Sequence, residues 1–475
     1  MTAAVLIVSD YPFVGGGPSG LSLALALIQN GVSVRVIDKL PTFRVGQKGS
    51  GIQPRILELY KLLGVLPDIQ KKAGIPQPKL QYTAEGKTKV EVLAFMEDTP
   101  DRPYGKTDTK KSSANTSPNM VSQSKLGTEL AVLSNNSLTA QKALTAFVRK
   151  TLGLTFLGET RKGDDLVVGD IHVKKPLLDR TVWHVWGEPG TKACRLVEKN
   201  LSSVFYETSG RTDIEFGDLI LDLPLSLTRL QDSAHVHSPT GGQGLNSGIQ
   251  DSVNLAWKLA LVQKGLAPQS LLDTYTQERI PVIATMLNKT SELLTKTFQP
   301  GGASRAGWAR GYELRQLGVN YRASPVIVDE TPVEGEEAVD PYQSGNDGTI
   351  RGGDRAPDAP GLVFVSDSSR KTSLFDVFGS SYHTVLVFSN ENTAVLDALK
   401  SYPAGIVKSV VIVPHRPAGT ISTDYVLVDG DGYAYKHYKI AEKITKVVVV
   451  RPDGIIGALV TGVDGLKRYF KEILV

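Results

Sequence analysis

Two glycine-rich turns hold the residues whose types and spacing could do chemistry. The first, Gly15-Gly16-Gly17-Pro18-Ser19-Gly20, has the spacing G-x-G-x-x-G. The apolar run Val5-Leu6-Ile7-Val8 precedes it, and Leu21 to Asn30 follows with apolar residues at helical intervals and Gly31 placed to end the helix. A second strand-like run, Val32 to Ile37, leads to Asp38. In such a unit Gly15 permits the sharp turn, Gly17 lets backbone N–H groups approach a pyrophosphate, and Gly20 lets helix and strand pack closely. The helix N-terminus faces the anion, and Asp38, roughly 20 residues beyond the glycines, accepts hydrogen bonds from a ribose. The spacing therefore predicts dinucleotide binding. The segment Ser9 to Val14 separates the apolar run from the glycines, so either the strand ends at Val8 and the segment bulges out, or Phe13-Val14 resume it.

The second turn, Gly241-Gly242-Gln243-Gly244-Leu245-Asn246, follows Asp232-Ser233-Ala234-His235-Val236-His237-Ser238-Pro239 and opens onto a helix from Ser247 to Val262. A second helix N-terminus is a second device for stabilising negative charge. A nicotinamide dehydrogenase needs one. A flavin uses another, because its reduced form carries negative charge at the N1–C2=O edge. His235 and His237 have no neighbouring acid or cysteine set, so they read as loop residues and no metal is expected.

The elements that must position these turns form more than one domain, since single cores stop growing near ~250–300 residues and the chain has 475. With 41% hydrophobic and 21% charged residues, a disordered chain, a coiled coil and a membrane bundle are excluded. Fifty-three basic against 49 acidic residues leave a net charge of +4, too balanced to point to nucleic acid or a membrane surface. A single cysteine, Cys194, excludes an internal disulfide, a CxxC redox pair and a cysteine-rich zinc site. No apolar run approaches the ~20 residues needed to span a bilayer, and the chain reads as cytoplasmic.

Along the chain, residues 1–299 alternate strands, glycine turns and long helices. Residues 300–347 are rich in glycine, proline and acid and read as a connector with a partly helical piece around Trp308 to Leu317. Residues 348–475 read as a separate domain. Its strand-like runs are His383–Ser389, Val407–Pro414, Tyr425–Val428 and Lys446–Arg451, with helical spacing at Thr393–Tyr402 and Gly465–Leu474. Arg451-Pro452-Asp453-Gly454 is turn chemistry, so Val447–Val450 and Ile455–Val460 should form a hairpin. A β-α-β unit, a hairpin and a closing helix make a thioredoxin-like order. It lacks CxxC, which favours a structural or dimerisation role. The polar tract Lys110 to Asn119 reads as loop or disordered.

These motifs resemble the FAD-dependent aromatic hydroxylases, the flavin monooxygenase group that includes fungal phenol 2-monooxygenase. Gly15 to Leu21 is similar to the family's first FAD motif, and Asp232 to Asn246 to its second. Gly51-Ile52-Gln53-Pro54-Arg55 resembles the segment beneath the flavin, Trp183 to Gly187 the substrate-domain sheet, and Gly353 to Pro360 the opening of the C-terminal domain. The resemblance implies an α/β fold. It comprises a Rossmann-like (three-layer ββα) FAD-binding domain, an interleaved β-sheet substrate domain at roughly 76–220, and a thioredoxin-like C-terminal domain. It assigns Asp38 to the adenosine ribose, Gln53 and Arg55 to the flavin side, and Asp232 to ribityl or ribose hydroxyls. Pro239 falls near the oxygen-reactive face, and Gly242, Gly244, Leu245 and Asn246 at the isoalloxazine edge. NADPH or NADH would reduce FAD, and O2 would be delivered to a small phenolic substrate through a flavin C4a-hydroperoxide, in a homodimer.

Several positions depart from that pattern. Ser50 stands where the family has the acid that helps deprotonate the phenol, and a hydroxyl is no base at neutral pH. Gln231 replaces the usual glycine before Asp232, Leu221 to Leu227 includes Pro224 where a buried strand is expected, and Ala143-Leu144-Thr145-Ala146 occupies the place of the middle Asp-Gly motif. A flavin-binding chain that no longer hydroxylates, a plain nicotinamide dehydrogenase and a non-enzymatic interaction protein are the alternatives.

Overall fold

The computed structural model describes residues 5–8, 11–14, 16–36, 51–72, 79–83, 86–90, 99–104, 166–171, 183–186, 194–196, 202–207, 242–298, 312–331, 340–342, 349–388, 393–440 and 446–475. Their strands form three sheets, and no helix among them is long and apolar enough to cross a membrane. The polar tract at 110–119 lies outside the described residues, as do 143–146 and 221–231.

The first sheet has strand order β2-β1-β3, with β1 at Val5–Val8, β2 at Tyr11–Val14 and β3 at Val34–Arg35. Here the structure corrects one expectation. The strand that feeds the glycine turn is β2, not Val5–Val8. β1 folds back antiparallel on β2, pairing Val5 with Val14 and Val8 with Tyr11, and lies between β2 and β3. Neither reading of Ser9 to Val14 is met: Tyr11–Val14 is a separate strand, antiparallel to Val5–Val8, and it is the one that leads to the glycine turn. Helix α1 (Pro18–Gln29) follows, with Pro18 at its first turn, where a missing N–H costs nothing. Leu21 to Leu27 are all buried, so the helix is wrapped by core. Its C-cap Asn30 donates from Nδ2 to the carbonyls of Ala26 (2.8 Å) and of Ser380 (2.9 Å) in the C-terminal part of the chain.

Helices α2 (Pro54–Leu62) and α3 (Leu66–Lys72) lead to a six-stranded sheet of order β5-β4-β7-β8-β9-β6. Its strands are β4 Lys79–Thr83, β5 Gly86–Val90, β6 Leu166–Ile171, β7 Trp183–Trp186, β8 Cys194–Leu196 and β9 Ser202–Glu207. All six fall inside 76–220. Helix α4 (Gly244–Gln263) then returns the chain to α1, and α5 (Asp273–Phe298) packs on α4.

Helix α4 carries two buried stripes. Ile249, Val253, Ala256 and Ala260 join the core that also holds Leu21 to Leu27 of α1. Asn246, Gln250, Asn254 and Lys258, spaced by four and therefore stacked along one face, are buried as well and are all polar.

The third sheet has eight strands in the order β10-β17-β16-β13-β14-β15-β11-β12. They are β10 Val328–Asp329, β11 Leu362–Phe364, β12 Lys371–Thr372, β13 His383–Phe388, β14 Val407–Val413, β15 Tyr425–Val428, β16 Lys446–Val450 and β17 Ile456–Val460. β13 and β14 are parallel and are joined through Thr393–Leu399; β16 and β17 form the antiparallel hairpin; Val463–Ile473 is the closing helix. Alternate residues serve opposite faces. Leu386, Val448 and Ile412 face the core that contains α1, α2 and α4, while Val385, Val449 and Val411 join Trp257, Leu466 and Phe470. Both faces being covered, Val385 to Phe388 of β13 read as a continuous apolar run rather than an alternating one.

Part of the stretch read as connector is integral to this sheet. β10 pairs parallel with β17, Val328 opposite Ala458. Just before it, the Tyr321 N–H donates to the Gly353 carbonyl (2.8 Å), and the Gly353 N–H donates to Ile456 (2.7 Å). Gly353 has φ +89° and approaches the Arg322 backbone so closely that a Cβ would come within 2.5 Å of its nitrogen. Only glycine fits there.

Candidate cofactor site

The two glycine turns meet. Gly248, in the second turn of α4, has no side chain, and a Cβ built there falls inside van der Waals contact of Ser19 Oγ in the first turn of α1. One α4 turn further on, Ser252 Oγ donates to the Ser19 carbonyl (2.8 Å). The helices therefore begin side by side. Gly17, extended at φ −76°, caps α1, and Gly242, at φ +63°, sets the bend into α4. Neither helix has a capping side-chain bond or an acid in its first turn. The positive ends of both dipoles are thus unneutralised by their own residues, which suits a ligand carrying negative charge at two places.

Asn246 fixes the surrounding loops. It is fully buried and joins three segments. Its Nδ2 donates to the carbonyls of Gly51 (2.9 Å) and Gly242 (2.8 Å), while its Oδ1 accepts from the Gln53 N–H (2.8 Å). One amide so ties the loop before α2 to the loop before α4. Gln53 is the extended N-cap of α2, Gly244 is the first residue of α4, and Leu245 packs partly buried on the core. Gly17 and Gly20 sit at the start of α1. Of the other sequence-derived site residues, Gly15, Asp38, Ser50, Asp232 and Pro239 lie outside the described residues.

Arg55 lies within the described residues. Expected on the flavin side, its guanidinium is buried, donating to Glu58 (2.8 Å) and to the Asp453 carbonyl (2.7 Å). It belongs to the seam where α2, α4 and α5 meet the β16–β17 turn. Arg355 reaches the same seam and donates to Glu58 (3.0 Å). At its centre Glu278 accepts from Arg451 through both oxygens (2.7 and 2.9 Å), from Lys258 (2.7 Å), from Asn254 (2.6 Å) and from Ser324 (2.7 Å). The side chains of Glu278, Lys258 and Arg451 are 0% exposed. Burial alone would raise the Glu278 carboxyl, but the charges of Arg451 and Lys258 hold it well below the usual carboxylate range. Burial pulls Lys258 down to about 8 despite Glu278 beside it. These groups are structural: they bind the C-terminal sheet to the helices that present the glycine turns.

Sequence reasoning passed over Gln250 and Gln316, which complete a further set next to the second turn. Gln243, Gln250, Gln316 and Arg279 are buried and bonded in series. The signal that could have exposed Gln250 is the i+4 recurrence of polar residues along an otherwise apolar helix.

Residues 5–137 and 231–290 match the FAD binding domain family. Each matched segment contains one of the two glycine turns, and the interruption between them contains β6 to β9. The resemblance to the FAD-dependent aromatic hydroxylases holds. A flavin-dependent monooxygenase of Mycobacteroides abscessus is 28% identical, over 97% of this chain and 99% of its own length. Pentachlorophenol 4-monooxygenase of Sphingobium chlorophenolicum is 26% identical, over 96% and 93%. The structure of aklavinone-11 hydroxylase, solved with FAD and aklavinone, superposes with a TM-score of 0.68 at 19% identity, covering 96% of this chain and 98% of that one. The mixed α/β fold with an FAD-binding domain is that of these flavin monooxygenases.

Proposed function

We propose that this chain is an FAD-dependent monooxygenase that hydroxylates a small phenolic substrate, consuming NAD(P)H and O2. The observation that carries the reading is the adjacency of the two helix starts at Ser19 and Gly248, which a dinucleotide site alone does not require. In this reading Gly15 and Gly17 approach the pyrophosphate, Asp38 and Asp232 take sugar and ribityl hydroxyls, and Gly242 to Asn246 present backbone N–H groups to the isoalloxazine edge. Pro239 borders the reactive face. Arg55 drops out of the cofactor set and acts on the docking seam instead. When bound, FAD supplies the redox chemistry between NAD(P)H and O2. The balance is ArH + NAD(P)H + H⁺ + O2 giving ArOH + NAD(P)⁺ + H2O. The chain's own share is to orient the cofactor and exclude water.

The C-terminal unit fits a thioredoxin-like reading. Within its sheet the order β17-β16-β13-β14, with β13 and β14 parallel and the hairpin antiparallel, supports it. With no cysteine in 348–475, its part is structural.

A second reading, FAD-dependent oxidation of NAD(P)H without hydroxylation, is favoured by Ser50 at the position of the family acid. Purified protein reconstituted with FAD separates the two. NADPH oxidation stimulated by a phenol, with hydroxylated product, supports the first reading. Oxidation whose oxygen appears only as peroxide supports the second. Protein that takes up no FAD refutes both.

A further inference from the structure

We infer that three glutamines, Gln243, Gln316 and Gln250, form a directional relay that sets the geometry of the loop at the flavin edge, with Gln316 its positioning residue. The inference rests on the FAD reading above.

The bonds run one way only. At one end Gln243 Nε2 donates to the Leu314 carbonyl (3.1 Å), which can only accept. Gln243 Oε1 therefore faces Gln316 and accepts from its Nε2 (2.7 Å). Gln316 Oε1 in turn accepts from Gln250 Nε2 (2.7 Å). Gln250 Oε1 accepts from Arg279 Nη1 (3.3 Å), and a guanidinium can only donate. An acceptor-only group and a donor-only group at opposite ends fix the orientation of every amide between them. Arg279 is itself held by Asp251 (2.7 Å) and by Tyr321, whose OH accepts from Nη1 (3.0 Å).

Gln316 is an unusual residue to find here. It is 1% exposed and sits at φ +64°, a left-handed conformation that a long side chain adopts at a cost. That conformation turns its amide toward Gln243 and Gln250 while the carbonyl two residues earlier meets Gln243. Residues 314–316 thus hold Gln243 from two directions. Gln243 lies between Gly242, at φ +63°, and Gly244, and a glycine on each side leaves the loop backbone around it permissive. A loop whose N–H groups must meet a ring edge needs an external hold, and the relay supplies one.

The test compares Gln316→Met and Gln250→Met, each of which keeps an unbranched side chain and removes the amide, with Gln316→Gly, which relaxes the positive φ. FAD affinity of the apoprotein, the visible absorbance bands of bound flavin and the urea midpoint are measured for each. The expected result is FAD binding about tenfold weaker in every variant, with displaced absorbance bands. The Gln250→Met/Gln316→Met double variant should be little weaker than either single one, because both interrupt one series. Variants that lose stability yet bind FAD with the unsubstituted affinity and spectrum overturn the inference and leave the FAD reading intact. An unsubstituted chain that takes up no FAD overturns the reading and the inference together.

Discussion

Gly248→Val is the perturbation that bears most directly on the shared site, and Gly248→Ala is its control. A Cβ at position 248 collides with Ser19 Oγ and lies 3.4 Å from Ser19 Cβ. The hydroxyl can leave by rotation about one bond, at a cost of roughly 0.5–1.5 kcal/mol if the new rotamer is imperfect. Alanine in a helix interior returns roughly 0.5–1 kcal/mol relative to glycine. The control should therefore be close to neutral. Valine adds γ-carbons about 1.5 Å further out, and no rotation of Ser19 moves its own Cβ aside. The helix starts must part by something like 1 Å, and such overpacking costs about 1–3 kcal/mol. If both starts grip one molecule, most of that cost appears in binding, a rise in FAD Kd of roughly 5- to 150-fold at 1.4 kcal/mol per decade. Quenching of FAD fluorescence on titration with apoprotein reads it, with a urea melt alongside. Adding Ser19→Gly to the Gly248→Val protein removes the obstructing Cβ and should restore much of the affinity. A Gly248→Val protein that is less stable but binds FAD normally would show that the two turns do not share a ligand.

Other consequences follow from the seam and the loops. Asn246→Ala leaves the Gln53 N–H and two carbonyls without their partner, so FAD affinity of the apoprotein should fall about tenfold or more. Glu278→Gln leaves Lys258 without its paired carboxylate and Arg451 with Asp453 alone and should cost about 3–5 kcal/mol in urea unfolding. Lys258→Met should be neutral or stabilising, because a lysine held near 8 in the fold against 10.5 outside it is penalised by about 3 kcal/mol as a cation; in the Glu278→Gln background the same change should recover part of the loss. Burial pushes the Asp358 carboxyl up from 3.8 to about 6, so the unfolded chain ionises first and stability falls as pH rises through that window, by about 3 kcal/mol. Asp358→Asn keeps an oxygen to accept from the N–H groups of Ala359 and Phe375 and should lack that fall in urea midpoints between pH 3.5 and 7. His383, drawn down to about 3 by burial and by Arg451, gives the opposite slope, and the difference between the two proteins cancels it.

Most of the C-terminal fold was legible because its elements are buried on the faces that periodicity reads. The runs His383–Ser389 and Val407–Pro414 contain β13 and β14, and the Arg451 to Gly454 turn became the hairpin. The β1–β2 hairpin was less legible. Val5-Leu6-Ile7-Val8 and Tyr11-Pro12-Phe13-Val14 are both acceptable strands, and local sequence cannot say which one feeds the helix. β10 was hidden for a different reason: two residues inside a proline- and acid-rich stretch carry no periodicity, and Val328–Asp329 is a strand only because β17 offers it an edge. Composition reports the chain's own preferences, not the edge it will find.

The site was legible where glycine does the work and illegible where buried polar side chains do it. Glycines announce a turn whatever surrounds them, so the turns at Gly17 and Gly242 could be read from spacing alone. Asn246, Gln250, Asn254 and Lys258 resemble the solvent face of an amphipathic helix, and the apolar residues Ile249, Val253 and Ala256 strengthen that impression. The face is dry because partners reach it from far along the chain: Gly51, Gln316, Glu278 and Asp453. Each partner sits in a different segment. The same fact explains Arg55. Its position in Gln53-Pro54-Arg55 suggested a cofactor contact, but its two hydrogen-bond partners are one helical turn away and nearly 400 residues away. Asn246, Gln250 and Asn254 bond to partners in separate segments and so help fix the register between α4, α5 and the C-terminal sheet. That register keeps the second glycine turn beside the first.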